Sequence, residues 1–419
     1  MRRRLILAAV LGAMLVAGTL PASAGIAQPT VVSQNPVDYT PNVLDGTVYA
    51  IAVVGNTVVV GGDFTTVANA AGTTHYARVN LFAYGLSTGA VTGFTADLDG
   101  TVNTLVAGPS GTVYVGGAFH HVDGVAERGV TQLNVSTGAR VPAFTGYIGD
   151  GEVRSLEYWP PAAQLYVGGN FASVDGTARV ALARLNGVSG ALDPHFDMRL
   201  SSPTVGRTKV EDTALSPDGR TLIAIGAIQY SGTQNRAQVI SVNVGGTTAA
   251  LSSWYTNFYN VNCDSLFSTY VREVDFSPGG SYFVVVTTGR LSGPTLPCDT
   301  AARFNLAGGG LHNPVWVNHT GGNTLLSVCV TSYAVYVGGH EQWLDNPQGD
   351  KTAGPGAVSR PGIGAIDPNT GLALSWNPTR TRGVGVEALV VTTTGLLVGS
   401  DTTELGHEYH ARLGMFPES

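Results

Sequence analysis

Seven strand ends in this chain carry side chains that could bind a ligand. A run of β-branched and aromatic residues ending in Gly-Gly, or a variant of it, recurs, and the residue that follows varies. That position holds Asp63, Ala118, Asn170, Ala227, Arg290, His340 and Asp401. Polar groups that leave rigid strands are suited to ligand binding. We therefore predict a binding site formed by Asp63, Asn170, Arg290, His340 and Asp401, although an unconstrained surface position would vary in the same way.

Asp63 and Asp401 raise an alternative, hydrolytic chemistry. Polysaccharide-hydrolysing enzymes use two carboxyl groups about 5–9 Å apart, and these aspartates lie in units that a closed ring would bring side by side. No nucleophile elbow, phosphate loop or dinucleotide fingerprint occurs in the required strand–helix context. We expect binding without catalytic residues or a cofactor, and keep a polysaccharide-acting enzyme as the alternative.

The histidines do not form a recognisable metal motif. His407 and His410 are three residues apart in a loop, whereas the helical zinc motif needs histidines at i and i+4. His120, His121 and His340 lie on comparable loops. A metal site built across several units stays an alternative, but solvent-facing loop polarity is the simpler interpretation, and we expect no metal.

The elements that position these residues are short strands in a repeated unit. Val113–Gly117 returns as Leu165–Gly169, and related runs end at Gly62 and Gly339. Seven such strand ends divide the chain into seven units. Each unit reads as four antiparallel strands joined by turns such as Ser216-Pro217-Asp218-Gly219.

The two ends of the chain complement each other. Three strands after residue 386 lack a fourth, and residues 37–45 resemble a last strand that has no preceding three. Joining them closes a ring and removes the exposed sheet edges. We predict an all-β, seven-bladed β-propeller over residues 37–419, with 37–45 as the closing strand. An open solenoid is the structural alternative.

One column of charges faces the mouth of the channel that such a ring encloses. Arg154, Glu211, Arg272 and Glu387 share a first-strand position with Tyr49 and Asn103. Alternating signs predict either a salt-bridge network between units or a site for a polar ligand.

A second column is arginine at the start of the third strand. Its members are Arg78, Arg128, Arg179, Arg236, Arg303, Arg360 and Arg412. Seven copies do not suit one active site. A guanidinium with five donors suits pairing with carboxylates or loop carbonyls, and Asp123 and Asp175 are nearby partners in sequence. We expect a structural role.

The N-terminus predicts export. Arg2-Arg3-Arg4 precedes an apolar stretch and an Ala-Ser-Ala pattern, which is typical of a signal peptide over residues 1–24 cleaved after Ala24. An uncleaved anchor is the alternative. Residues 25–36 are expected to form a flexible lead-in. The net charge of −7 argues against nucleic acid and anionic membranes as partners. We expect a secreted monomer without membrane insertion.

Export makes a disulfide plausible among the three cysteines. Cys263 and Cys298 lie in polar, loop-like sequence, and we expect them to pair. Cys329 lies in an apolar strand, Leu325–Val330, and is expected to be a buried free thiol.

The stretch from Leu165 to Asp175-Gly176, followed by Arg179 to Asn186, resembles the bacterial delta-sixty β-propeller repeat. The resemblance implies an exported, kelch-like propeller, and the family provides no catalytic set to carry over. We expect a secreted, non-catalytic propeller that binds a carbohydrate, peptide or cell-wall component through its loop-rich face.

Overall fold

The computed structural model describes residues 28–264, 266–379 and 385–419. The expected signal peptide lies outside these ranges. The fold is all-β: seven antiparallel sheets follow one another along the chain, each with a second strand between a first and a third. We number them sheets 1 to 7. No helix in the described part of the chain has the length and apolar character needed to cross a membrane.

The strands of the seven sheets have the following bounds. The first strands are Val48–Val54, Val102–Ala107, Val153–Trp159, Lys209–Leu215, Val271–Phe276, Leu325–Val330 and Val386–Thr392. The second strands are Thr57–Gly62, Thr112–Gly117, Gln164–Gly169, Thr221–Ala227, Tyr282–Thr287, Val335–Gly339 and Gly395–Ser400. The third strands are Leu81–Gly85, Val130–Asn134, Leu182–Asn186, Val239–Asn243, Thr300–Asn305, Ile363–Ile366 and Leu413–Pro417.

Short hairpins connect second to third strands in six of the sheets. They are Thr66–Ala68 with His75–Ala77, His121–Val122 with Val125–Ala126, Ser173–Val174 with Thr177–Ala178, Tyr230–Ser231 with Gln234–Asn235, Trp343–Leu344 with Val358–Ser359, and Glu404–Leu405 with Glu408–Tyr409. Asn42–Val43 and Leu200–Ser201 each add a strand to one of these hairpins. Trp254–Tyr255 pairs in parallel with Gly310–Leu311. The short 3₁₀ turns are Pro109–Gly111 and Pro160–Ala162.

The fourth strand is less regular than the sequence predicts. Among the described residues, it is a full member of sheets 4 and 5 alone, as Ala250–Leu251 and Trp316–His319. Sheets 1, 2, 3 and 6 reduce it to a single bridge, such as Tyr84 to Val91. The chain then turns to the next sheet, where Leu98 bridges Val122 of a hairpin. The backbone of the segment after the fourth strand pairs with the neighbouring sheet, and the fourth strand is short as a result.

Close approach between neighbouring sheets explains the Gly-Gly phrase. A Cβ atom on Gly61 would lie 2.4 Å from a methyl carbon of Val102 in the next sheet. The same relation joins Gly399 of sheet 7 to Val48 of sheet 1, at 2.6 Å. On Gly62, a Cβ would lie 1.9 Å from the carbonyl oxygen just before the first strand. Both glycines are therefore required by packing.

The sheets contact one another in cyclic order. First strands of consecutive sheets pack together, and the first strand of sheet 7 packs against that of sheet 1. One buried cluster combines Val58 and Val60 of sheet 1 with Leu397 and Met415 of sheet 7. Apolar burial of this kind is the main force that holds sheets together.

The N-terminal segment lies along sheet 7. The Ser33 N–H donates to the Pro417 carbonyl at 2.8 Å, and the Val37 N–H donates to the Met415 carbonyl at 2.9 Å. Part of the predicted lead-in, residues 25–36, makes specific contacts: Val32 is 2% exposed, and the Trp376 indole donates to the Ser33 carbonyl. Within the predicted closing segment, residues 37–45, Val43 donates its N–H to the carbonyl of Ala411, two residues before the third strand of sheet 7.

Candidate functional site

The first strands of all seven sheets line one central cavity of about 1060 Å³. It lies where the cyclic packing brings these strands together. Ligand sites in proteins are commonly 300–1,000 Å³, so this cavity has the size of one. We call it the central channel.

A β-bulge in every first strand directs one side chain into the channel. In each sheet the pairing of first and second strands slips by one residue, for example between Val48 and Ala50. The extra residues are Tyr49, Asn103, Arg154, Glu211, Arg272, Leu326 and Glu387. All seven line the channel. A bulge re-aims its side chain, so the structure brings together the charged column that the alignment of repeats predicted.

Glu211 is the centre of a charge network at the channel mouth. Arg154 and Arg272 lie with guanidinium nitrogens 3.0 and 3.5 Å from its carboxylate, and Lys209 also pairs with it. Arg154 contacts Glu152 as well, at 3.1 Å. The network crosses sheets 3, 4 and 5, which is the inter-unit salt-bridge arrangement expected as one of the two alternatives. The Arg154 side chain stays 38% exposed.

Three further carboxyl groups line the channel next to this network. Burial raises the pKa of Asp275 to about 8, and burial is also the largest cause of the raised pKa values of Asp212 and Glu273. All three are among the residues that line the channel. The sequence interpretation missed them, although carboxylates within otherwise apolar strands were a signal.

The residues after the Gly-Gly phrase are used largely to fix the chain entering the first strand. The carboxylate of Asp63 accepts the Thr47 N–H at 2.6 Å, and Asn170 Oδ1 accepts the Glu152 N–H at 2.8 Å. Asp401 accepts the Gly385 N–H at 3.1 Å. These bonds give three of the five predicted binding residues a structural use, and they engage both members of the proposed carboxylate pair. Asp63 also lines the channel.

Arg290 and His340 occupy different surroundings. Arg290 is exposed, with Nε 3.5 Å from Asp264 and its guanidinium 5.9 Å from the centre of the Phe267 ring. The main chain of His340 donates to the Thr324 carbonyl at 2.8 Å. The structure therefore distributes the five predicted residues around the strand ends. Polar groups are instead concentrated at the bulges of the first strands, which line the channel.

The predicted disulfide is present. Cys263 and Cys298 are bonded, with Cα atoms 5.6 Å apart, and Cys329 is a buried free thiol. The bond joins the segments that carry Phe267 and Arg290. The guanidinium of Arg272 lies 5.6 Å from the centre of the Phe267 ring.

All seven recurring arginines donate to main-chain carbonyls, and four of them share one bonding pattern. Arg179 donates to the carbonyls of Phe196, Ala178 and Pro194. The others that follow this pattern are Arg78, Arg236 and Arg360. Arg128, Arg303 and Arg412 also donate to carbonyls, but they occupy other positions of the unit. Asp123 and Asp175, the suggested partners, accept backbone N–H groups instead.

The side chains of three of the histidines considered for a metal have identified partners. His121 Nδ1 lies 2.7 Å from Asp99, and His407 bonds to the hydroxyl of Thr379. His410 Nδ1 lies 3.3 Å from the hydroxyl of Thr40. Among residues 28–264, 266–379 and 385–419, no group of three or more His, Cys, Asp or Glu side chains is placed to hold a metal ion.

Residues 164–196, which include the second and third strands of sheet 3, match a family described as a β-propeller domain of unknown function (DUF5122). No curated protein matches the chain. The all-β fold and this short match support a β-propeller.

Proposed function

We propose that the chain is a closed, seven-bladed β-propeller of the delta-sixty kind that is exported and binds a polar ligand without catalysis. The seven sheets would be its blades, and the N-terminal segment would close the ring through its bonds to sheet 7. The disulfide favours export, because such bonds persist in oxidising compartments.

The ring of bulged residues carries the proposal for ligand binding. The same backbone irregularity occurs in all seven sheets, and it presents a phenol, an amide, guanidinium groups and carboxylates to one cavity. A carbohydrate or a peptide offers the hydroxyl, amide and charged groups that such a surface recognises. The ligand would enter from the face where the second strands end, since the bulges lie at that end of each sheet.

A binding screen with matched variants tests this proposal. The mature protein is screened on a glycan array and a peptide library, and retained ligands are titrated by calorimetry. Tyr49→Ala and Arg154→Ala should weaken binding at least tenfold. Arg220→Ala, an exposed change in the hairpin at the opposite end of sheet 4, should leave it unchanged.

Two results would contradict the proposal. One is equal affinity of the wild-type protein and both channel variants for every retained ligand. The other is turnover of a retained glycan, detected as new reducing ends, which would favour the polysaccharide-acting enzyme.

A further inference from the structure

Polar side chains connect neighbouring first strands around the channel. At three of the interfaces, neutral groups make connections of this kind. Asn103 donates to the Val153 carbonyl at 2.9 Å, and Ser327 donates to the Val386 carbonyl at 2.8 Å. The hydroxyls of Ser155 and Thr213 are 3.0 Å apart.

Carboxyl groups make these connections between sheets 4, 5 and 6. Asp212 accepts the Val274 N–H at 2.9 Å, which joins sheet 4 to sheet 5. Asp275 accepts the Val330 N–H at 2.6 Å, which joins sheet 5 to sheet 6. Glu273 accepts a second N–H from sheet 6, that of Val328.

The nearby cations are engaged elsewhere. Arg154, Lys209 and Arg272 pair with Glu211 at the mouth. Within the described residues, none of the three connecting carboxyls forms an ion pair. The other titratable groups that face them are also acidic: Glu211 raises the pKa of Asp212, Glu387 raises that of Glu273, and the Cys329 thiol lies near Glu273 and Asp275.

We propose that Asp212, Glu273 and Asp275 form a pH-sensitive latch in the channel wall, which holds sheets 4, 5 and 6 together in acidic medium and loosens in alkaline medium. When protonated, each carboxyl keeps its bond to the neighbouring strand without adding charge. When all three are ionised, like charges face one another without a paired cation, and repulsion opposes the contact between the sheets.

The direction of the pH dependence follows from proton linkage. Free Asp and Glu have pKa values of about 3.9 and 4.3, and burial raises that of Asp275 to about 8 in the folded protein. Between these values the folded state holds protons that the unfolded chain has released. The stability that these protonated groups contribute is complete below pH of about 4, and it is lost as the pH rises through the folded-state value.

Hydrogen exchange of the wild-type protein at pH 6 and pH 9 tests the latch. Rates are corrected for base catalysis of exchange, and peptides spanning 271–276 and 325–330 are followed by mass spectrometry. Protection in these two strands should fall at least tenfold at pH 9. The strand 102–107 is the internal control, because it carries no ionisable side chain and its Asn103, a neutral amide, makes the connection to the next sheet. Its protection should persist.

Amide variants provide the second arm. Asp275→Asn and Glu273→Gln keep an oxygen that can accept the N–H but cannot ionise, so protection should become independent of pH in the strand they contact. A fall of equal size in all three strands, or none in any, would overturn the latch. The wild-type comparison decides even where a variant fails to fold, and neither arm requires a ligand.

Discussion

Replacing both Cys263 and Cys298 with alanine should lower the free energy of unfolding by on the order of 4 kcal/mol. The bond joins residues 35 positions apart. In the chain-entropy account, closing a loop of that length removes about 13 cal/mol/K from the unfolded ensemble. At 25 °C this entropy corresponds to the stated loss. Both cysteines are buried, with exposures of 0% and 2%, so the loss of packing adds to this cost.

Equilibrium unfolding in urea measures this effect, with Cys329→Ala as the matched control. Cys329 is a third buried sulfur, 8% exposed, that forms no disulfide. Its replacement reports the cost of removing a buried thiol alone, on the order of 1 kcal/mol. The loss of unfolding free energy in the double variant should be several kcal/mol greater than twice that cost.

The reasoning would be refuted if the double variant lost no more free energy of unfolding than twice the loss measured for Cys329→Ala. It would mean that the segments around Cys263 and Cys298 stay close in the unfolded chain, or that native contacts such as Arg290 with Asp264 hold them equally well without the bond.

Two other substitutions test the contacts that hold the repeat and its N-terminus. Arg179→Met should cost about 2–4 kcal/mol of unfolding free energy, because three main-chain carbonyls lose a charged donor. Its control is Arg220→Met at an exposed turn, which should cost less than about 0.5 kcal/mol. Equal effects of the two substitutions would contradict the carbonyl-binding role of Arg179. Tyr336→Phe should cost about 1–3 kcal/mol of unfolding free energy, because the buried Val32 N–H loses the phenol oxygen 3.0 Å away. Tyr333→Phe on the surface is its control. An unchanged urea midpoint for Tyr336→Phe would show that the N-terminal segment does not depend on this bond.

The repeat was predictable from the sequence because packing requires it locally. Gly61 and Gly62 are needed wherever a neighbouring sheet and a backbone carbonyl approach within the space of a Cβ atom. That requirement acts on residue type, so it leaves a visible phrase. The disulfide was predictable for a similar reason: Cys263 and Cys298 stand in polar segments, and Cys329 stands in an apolar strand.

A second repeated feature, a backbone conformation, has no recognisable pattern of residue types in the sequence. The residue just before every third strand has a left-handed backbone, with φ between 55° and 78°. It is Asn80, Gly129, Ala181, Gln238, Asp299, Gly362 and Arg412. Their types have nothing in common, because the surrounding hydrogen bonds impose the conformation in spite of its cost. Tertiary contacts decide this position, so the sequence could not reveal it, and Arg412 was consequently aligned with arginines of a different role.

The bulged residues are better candidates for ligand binding than the residues that follow the Gly-Gly phrase. Asp63, Asn170 and Asp401 vary in type, yet each retains an oxygen that accepts a backbone N–H ahead of the first strand. In these three repeats, the residue type is limited by a structural bond. A bulged residue has no partner on the second strand, so the ladder does not restrict its side chain. Tyr49, Arg154 and other unlike groups can therefore occupy equivalent places around one channel.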